Sequence, residues 1–275
     1  MSSVFQVFTN FFHKNDQLIL QNYPGLTLER LLHDYCFYKK IEKHHYFFDQ
    51  NFLQQLQQGM PLAYIFGKKY FFNSDFIVNS DVLIPRQETE ILVEMAIKEV
   101  KKIKKENISY LEVGVGTGAI SLSLLKEISQ KISMTLTDIS HEALAVCQRN
   151  YFLHQFSFPI NHQVEFIQTD RLKGIKQSFD LIISNPPYIP DNSTTVHAKV
   201  HEYEPHLALY LKQDEYDHWF KQFFSDVLSH LNPGGVFLME GHEDYLEKLA
   251  TFLTKGNIEI LRDLTGRKRF IKLYI

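Results

Sequence analysis

The residues best suited to chemistry form one tetrapeptide, Asn185-Pro186-Pro187-Tyr188. It follows Phe179-Asp180-Leu181-Ile182-Ile183-Ser184, an apolar run of the kind that forms a buried parallel strand, so it falls at a strand's carboxyl end. Consecutive prolines donate no backbone hydrogen bond and hold the chain extended. The Asn185 carboxamide, the carbonyls of the two prolines and the Tyr188 ring then face whatever lies beyond the sheet. Such a corner is a rigid acceptor for a planar NH2 group.

A second constellation lies upstream. Glu112-Val113-Gly114-Val115-Gly116-Thr117-Gly118-Ala119 follows a short strand-like run and opens a helix-compatible stretch, Ile120 to Leu125. In that strand-turn-helix context glycine lets the backbone touch a ligand. The next strand-like run, Met134 to Thr137, ends in Asp138, whose carboxylate can accept both hydrogen bonds of a ribose diol or cap the following helix. Together these features suit an adenosine-containing cofactor. Gly114-x-Gly116-x-x-Ala119 also satisfies a relaxed nicotinamide fingerprint, with a pyrophosphate at the helix N-terminus. Three alternate glycines behind an acidic residue favour S-adenosylmethionine instead: Glu112 can meet its ammonium, and the N–H groups of the loop its carboxylate. Asp170, at the end of a third strand, and its neighbour Arg171 would face the same cleft near the adenine, or sit in solvent.

The elements that must position these residues show in the periodicity. Beyond Pro85, helical stretches alternate with strands at Ser109–Val113, Met134–Thr137, Val164–Ile167, Phe179–Ser184 and Gly235–Met239. That rhythm predicts an α/β fold with a doubly wound, mostly parallel sheet. Two further strands flank Thr265-Gly266-Arg267 and pair antiparallel. Upstream, Val4, Phe5, Phe8, Phe11 and Phe12 share one helical face, Leu28, Leu31, Leu32 and Tyr35 repeat the pattern, and Phe52, Leu53 and Leu56 end at Gly59 with Pro61 beyond. At this spacing such aromatics are core. Tyr70-Phe71-Phe72 and Phe76-Ile77-Val78, separated by Asn73-Ser74-Asp75, read as a hairpin. The division is therefore a helical domain over 1–68, a β-hairpin connector over 69–84 and a catalytic domain over 85–275.

Composition narrows the setting. The chain has 275 residues, 44% hydrophobic and 22% charged, which is ordinary for a globular protein. A formal net charge of -3 gives no global attraction to nucleic acid, and the cluster Lys98, Lys101, Lys102, Lys104 and Lys105 reads as a solvated helix end. Cys36 and Cys147, far apart, exclude a disulfide framework and a cysteine-rich metal site, which suits a reducing cytoplasm. Neither a basic leader nor an apolar stretch long enough for a membrane span is present. His197, His201 and His206, with Glu202 and Glu204 between them, lie in a stretch that reads as a loop across the cleft, and no metal is expected there.

Asn-Pro-Pro-Tyr after a fourth strand, combined with this glycine loop, resembles the class I methyltransferases that act on planar exocyclic or amide nitrogens. Further runs look like signatures of the peptide chain release factor N(5)-glutamine methyltransferase family: Gly59-Met60-Pro61-Leu62-Ala63-Tyr64-Ile65-Phe66-Gly67, Pro85-Arg86-Gln87-Glu88-Thr89-Glu90, Glu204-Pro205 and Asp263-Leu264-Thr265-Gly266-Arg267. The likeness spans almost everything after residue 58. It implies methyl transfer from S-adenosylmethionine to the glutamine of a Gly-Gly-Gln loop, with the helical domain gripping the release factor. Asn185, Pro186 and Tyr188 would be catalytic, with Pro187 completing the substrate site, and Glu112, Gly114, Val115, Gly116, Thr117, Gly118, Asp138, Asp170, Arg171 and Asn185 would bind the cofactor. A cytoplasmic monomer that contacts neither membrane nor nucleic acid directly is expected. Two positions depart from the family: Glu112 stands where Asp is usual, and Arg171 where an aromatic residue often meets the adenine. Rival readings are a ribosomal-protein glutamine or a nucleic-acid adenine as acceptor, a nicotinamide-dependent oxidoreductase, and a silent binding module.

Overall fold

The architecture comes from a computed structural model that describes residues 4–39, 50–194 and 197–275, the side chains of 4–8, 39 and 50 excepted. The chain opens with helices α1 (Val4–Lys14), α2 (Asp16–Asn22), α3 (Leu28–Lys39), α4 (Gln50–Gln58) and α5 (Leu62–Phe66). They bury Ile19, Leu31, Tyr35, Phe52, Leu56 and Ile65 in a core of their own, with Phe11, Phe12, Leu28, Leu32 and Leu53 packed against it. The three- and four-residue spacing thus becomes one shared apolar interior. The side chains of Val4, Phe5 and Phe8 lie outside the described residues.

The hairpin follows as β1 (Lys68–Phe71) and β2 (Ser74–Ile77), paired with Phe71 opposite Ser74. Its turn is tighter than the sequence reading: Phe72 and Asn73 make it alone, with φ of 43° and 60°. Left-handed backbone at both positions of a two-residue loop is the type I′ arrangement, which matches the strand twist. Asn adopts it readily, whereas Phe72 is held by core packing and by donating its N–H to Glu90 Oε1 at 3.2 Å. Phe71 and Phe76 are buried in the main core, so the hairpin is part of the sheet domain's packing.

Then come α6 (Thr89–Lys102), β3 (Asn107–Val113), α7 (Ala119–Glu127), β4 (Lys131–Asp138), α8 (His141–His154), β5 (Gln163–Gln168) and β6 (Phe179–Ser184). The short strand β7 (Ile189–Pro190), α9 (Ala198–Tyr203), α10 (His206–Leu209) and β8 (Tyr210–Leu211) cross one end of the sheet. The chain finishes with α11 (Tyr216–His230), β9 (Leu231–Glu240), α12 (Leu246–Ala250), β10 (Asn257–Arg262) and β11 (Lys268–Tyr274). Among the described residues, seven strands form one sheet in the order β10-β11-β9-β6-β3-β4-β5. Six of these strands run the same way and β11 alone runs opposite to them. This is the doubly wound, mostly parallel α/β sheet that the alternating pattern predicts.

Successive strand residues point to opposite faces, and each face is buried. Tyr110, Leu136, Ile183 and Leu238 pack beneath α6, α7 and α8, while Leu111, Ile182, Phe237 and Ile271 pack beneath α11 and α12. The chain leaves β3 toward β4 on one side and returns to β6 on the other. Their carboxyl ends therefore diverge at a crevice, the usual place for a ligand in such sheets.

Candidate active site

A cavity of about 380 Å³ opens at that crevice. The sequence-read residues Glu112, Gly114, Val115, Gly116, Thr117, Asp138, Asp170, Arg171, Asn185, Pro186 and Pro187 all line it. Gly118 and Tyr188 do not. The loop after β3 is shaped by left-handed glycines: Gly114 at φ +75° and Gly116 at φ +52° have no atom within 4 Å of where a Cβ would lie. Gly118 instead starts α7 at φ +78°, and a Cβ there would come within 2.7 Å of the Cys147 sulfur, so its glycine serves close packing of loop on helix α8.

Two carboxylates flank the loop. Glu112 is 1% exposed; its Oε2 accepts the Ser121 N–H at 3.1 Å and also the Ser121 hydroxyl. Burial pushes its acid up to about 8, against the lowering effect of the Ser121 bonds. Asp138 Oδ2 accepts the Gly116 N–H at 2.9 Å and its Oδ1 the Ser140 N–H at 3.0 Å. The cap of α8 is Ser140, whose hydroxyl accepts the Ala143 N–H at 3.0 Å. Asp138 is thus free of the capping role, and each of its oxygens keeps a further acceptor position. Burial also raises its acid.

At the opposite wall, Arg171 takes a left-handed backbone, φ 55°, and forks its Nε and Nη2 onto Asp170 at 3.1 Å each. Its guanidinium carbon stands 5.5 Å from the ring centroid of Trp219 on α11. Trp219 lines the cavity as well. No local pattern in the sequence pointed to this partner.

Asn185 leaves β6 where Ser184 pairs with Val113 of β3, and the Ser184 hydroxyl donates to the Val113 carbonyl at 2.8 Å. Its Nδ2 donates to Thr89 Oγ1 at 3.4 Å. Tyr188 turns behind the corner: its hydroxyl donates to Glu240 Oε1 at 3.5 Å, and its backbone carbonyl accepts the Tyr216 hydroxyl at 3.1 Å. Glu240 is 1% exposed, with its acid pushed up to about 7 by burial. A lone carboxylate closing the apolar run Val236 to Met239 is a signal that sequence reading can find, and it lies at the ligand end of the sheet.

The segment between hairpin and α6 is tied down by Glu204, whose Oε1 accepts Arg86 Nη2 and whose Oε2 accepts the Ile84 N–H at 3.1 Å. Arg86 therefore braces the strap across the cavity. His201 and His206 stack on each other at 4.6 Å, and His197 caps α9. Lys105 pairs with Asp180, and Lys102 with Glu99, at the foot of the sheet. Asn150, fully buried, receives the Ile77 N–H and donates to the carbonyls of Ile77 and Thr117, joining hairpin to glycine loop.

Comparison with known proteins decides the family. A family model for the methyltransferase small domain matches residues 87–207. A release factor glutamine methyltransferase of Flavobacterium psychrophilum is 34% identical over 228 residues, 80% of this chain and 78% of its own. Another, of Leptospira interrogans, is 35% identical over 262 residues, 90% of this chain and 83% of its own. The chain belongs to the release factor glutamine methyltransferase family. A methyltransferase from Pyrococcus furiosus, 17% identical, aligns with a TM-score of 0.50 over 82% of this chain and 98% of that one, which shows a shared fold. Membership in the release factor glutamine methyltransferase family makes the chain a methyltransferase, and the doubly wound sheet with β11 reversed is the frame on which its crevice is built.

Proposed function

We propose that the chain transfers a methyl group from S-adenosylmethionine to the side-chain amide nitrogen of the glutamine in a release factor's Gly-Gly-Gln loop. One observation carries this: Asn185-Pro186-Pro187 and the Gly114 to Thr117 loop line a single cavity. The residues present fit the cofactor. Open space at Gly114 and Gly116 admits a ligand against the backbone, Glu112 would meet the ammonium, Asp138 the ribose hydroxyls, and Asp170 with Arg171 the adenine end. The longer reach of Glu112 is supported from behind by Ser121.

When bound, the cofactor supplies a methyl carried on a positively charged sulfur. An amide nitrogen is a weak nucleophile because its lone pair is delocalised into the carbonyl. The Asn185 Oδ1 and the Pro186 carbonyl would accept its two N–H bonds, hold the nitrogen in line and stabilise positive charge growing there. The cofactor would supply the methyl and leave with a neutral sulfur, while the nitrogen held by Asn185 and Pro186 would give up one proton to solvent. Alignment supplies up to ~7–11 kcal/mol, against ~1.5–3 kcal/mol for one charge-assisted hydrogen bond, so the stiffness of the Pro186-Pro187 corner outweighs any single contact. Tyr188 would act from behind, fixing the corner through Glu240 and Tyr216.

The division into a substrate-gripping helical unit over 1–68, a hairpin connector over 69–84 and a catalytic unit over 85–275 belongs to the same reading. It is supported by the separate core of α1 to α5. So do a cytoplasmic location, a monomeric state and the absence of direct nucleic-acid contact, which the net charge of -3 and two free cysteines support. No helix among the described residues is long and apolar enough to cross a membrane.

The test is transfer of labelled methyl to a release factor with its loop glutamine intact or replaced. Labelling of the intact loop alone is expected, and Asn185→Ala should cut turnover at least ~100-fold, far more than it weakens cofactor affinity. Label on a ribosomal protein or on nucleic acid, with none on the release factor, would overturn the substrate.

A further inference from the structure

Glu240 is a buried carboxylate that accepts the Tyr188 hydroxyl through one oxygen, and its other oxygen has a second partner. It closes β9 directly behind the acceptor corner, and its Oε2 accepts the Thr89 hydroxyl at 2.7 Å. Thr89 is 4% exposed, begins α6 and lines the cavity. Its hydroxyl is not used to cap that helix, whose N-terminus carries no side-chain capping bond. A hydroxyl has one proton and two lone pairs. While Glu240 is ionised it can only accept, so the Thr89 proton is committed to it and Oγ1 accepts from its other neighbour, the Asn185 carboxamide at 3.4 Å.

A carboxamide is planar, with an oxygen edge and an NH2 edge that are nearly alike in shape. Packing alone therefore selects poorly between its two orientations; hydrogen bonding selects well. If Asn185 turned over, Oδ1 would face an acceptor-only Thr89, and its NH2 would face the NH2 of an incoming amide. Both contacts would be repulsive. We infer that Thr89, polarised by Glu240, is a positioning residue that locks the Asn185 carboxamide with Oδ1 presented to the substrate N–H. The threonine's β-branch supports this by restricting its χ1. Two segments far apart in the chain thereby determine the face shown by a third, and the device rests on the glutamine-amide reading proposed above.

Two variants and two readouts test it. Thr89→Val keeps the shape and removes the acceptor; Thr89→Ser keeps the acceptor. With release factor and S-adenosylmethionine, T89V should lower the single-turnover rate ~10–100-fold, with KM for the release factor and Kd for the cofactor within about two-fold of the parent, and T89S should recover most of the rate. In nuclear magnetic resonance, the Asn185 side-chain NH2 pair, assigned by its loss in Asn185→Ala, should shift in T89V and keep its position in T89S. Equal rates for T89V and the parent, or a slow T89V that T89S does not rescue, would overturn the positioning role. An NH2 pair indifferent to T89V would overturn it too. Should the parent protein transfer no methyl to the release factor, the substrate reading fails, and the resonance of the Asn185 NH2 pair still decides this one.

Discussion

Arg171 lines the cavity beside Asp170 and presents a flat surface of its own. The guanidinium is held in plane by the fork onto Asp170 and lies near the Trp219 ring, so an adenine could stack on the arginine, the indole or both. Trp219 is the one tryptophan of the chain, which makes its emission a local reporter. Titration with S-adenosylmethionine should change that emission saturably, and Arg171→Ala should weaken affinity ~2–10-fold. Unchanged emission at saturation, verified by calorimetry, would remove the adenine from this wall. At this scale the sequence was legible wherever function is written in neighbours: Asn185-Pro186-Pro187, the glycine loop and Asp138 reached one cavity as read. The partnership of Thr89 with Glu240 was not, because it spans 151 positions and shows only once the strands are in place. Trp219 likewise meets Arg171 only after α11 has folded over the sheet.

The central strands beyond residue 85 were the most readable elements, since β6 and the second half of β9 are buried throughout, whereas the edge strands β5 and β10 only alternate. Phe179–Ser184 matched to the residue. The hairpin was read a position or two late in each strand because a turn through Phe72 has no chemical signature; Asn73 alone suggested it, and burial of Phe72 decided it. Gly118 was read as part of the ligand surface because alternating glycines look equivalent on paper. They differ in what stands opposite. Gly118→Ala would place a methyl against Cys147 in a left-handed backbone, costing ~1–2 kcal/mol for the backbone and ~1–3 kcal/mol for overpacking, and should lower Tm by at least ~5 °C. Combined with Cys147→Ala, the crowding share should be relieved, leaving a coupling of ~1 kcal/mol or more in a double-mutant cycle. Strict additivity would show that the sulfur is not what the glycine accommodates.

For the molecule as a whole, two buried acids set how stability responds to pH. Glu112 and Glu240 are both raised by burial, to about 8 and about 7. A raised carboxylic acid favours the fold in its neutral form, so that stabilisation is full below the ordinary carboxylate range and is lost as pH climbs through 7 to 8. Each unit is worth ~1.4 kcal/mol, on the order of 3 kcal/mol for Glu240 alone. The cofactor-free protein should therefore melt several degrees lower near pH ~9 than near pH ~6. Glu240→Gln should flatten part of that slope, and saturating S-adenosylmethionine another part, because its ammonium would compensate Glu112. A melting curve that is level across this interval would mean that neither acid is desolvated as the structure places it. Asn150 has a different reach. One carboxamide ties the hairpin to the loop that follows β3 through three hydrogen bonds. Lengthening the turn at Asn73 leaves that anchorage intact, whereas inserting a residue after Ile77 would drag on the ligand-facing backbone from well outside the crevice. Tolerance to insertion should therefore change abruptly between the turn at Asn73 and the end of β2.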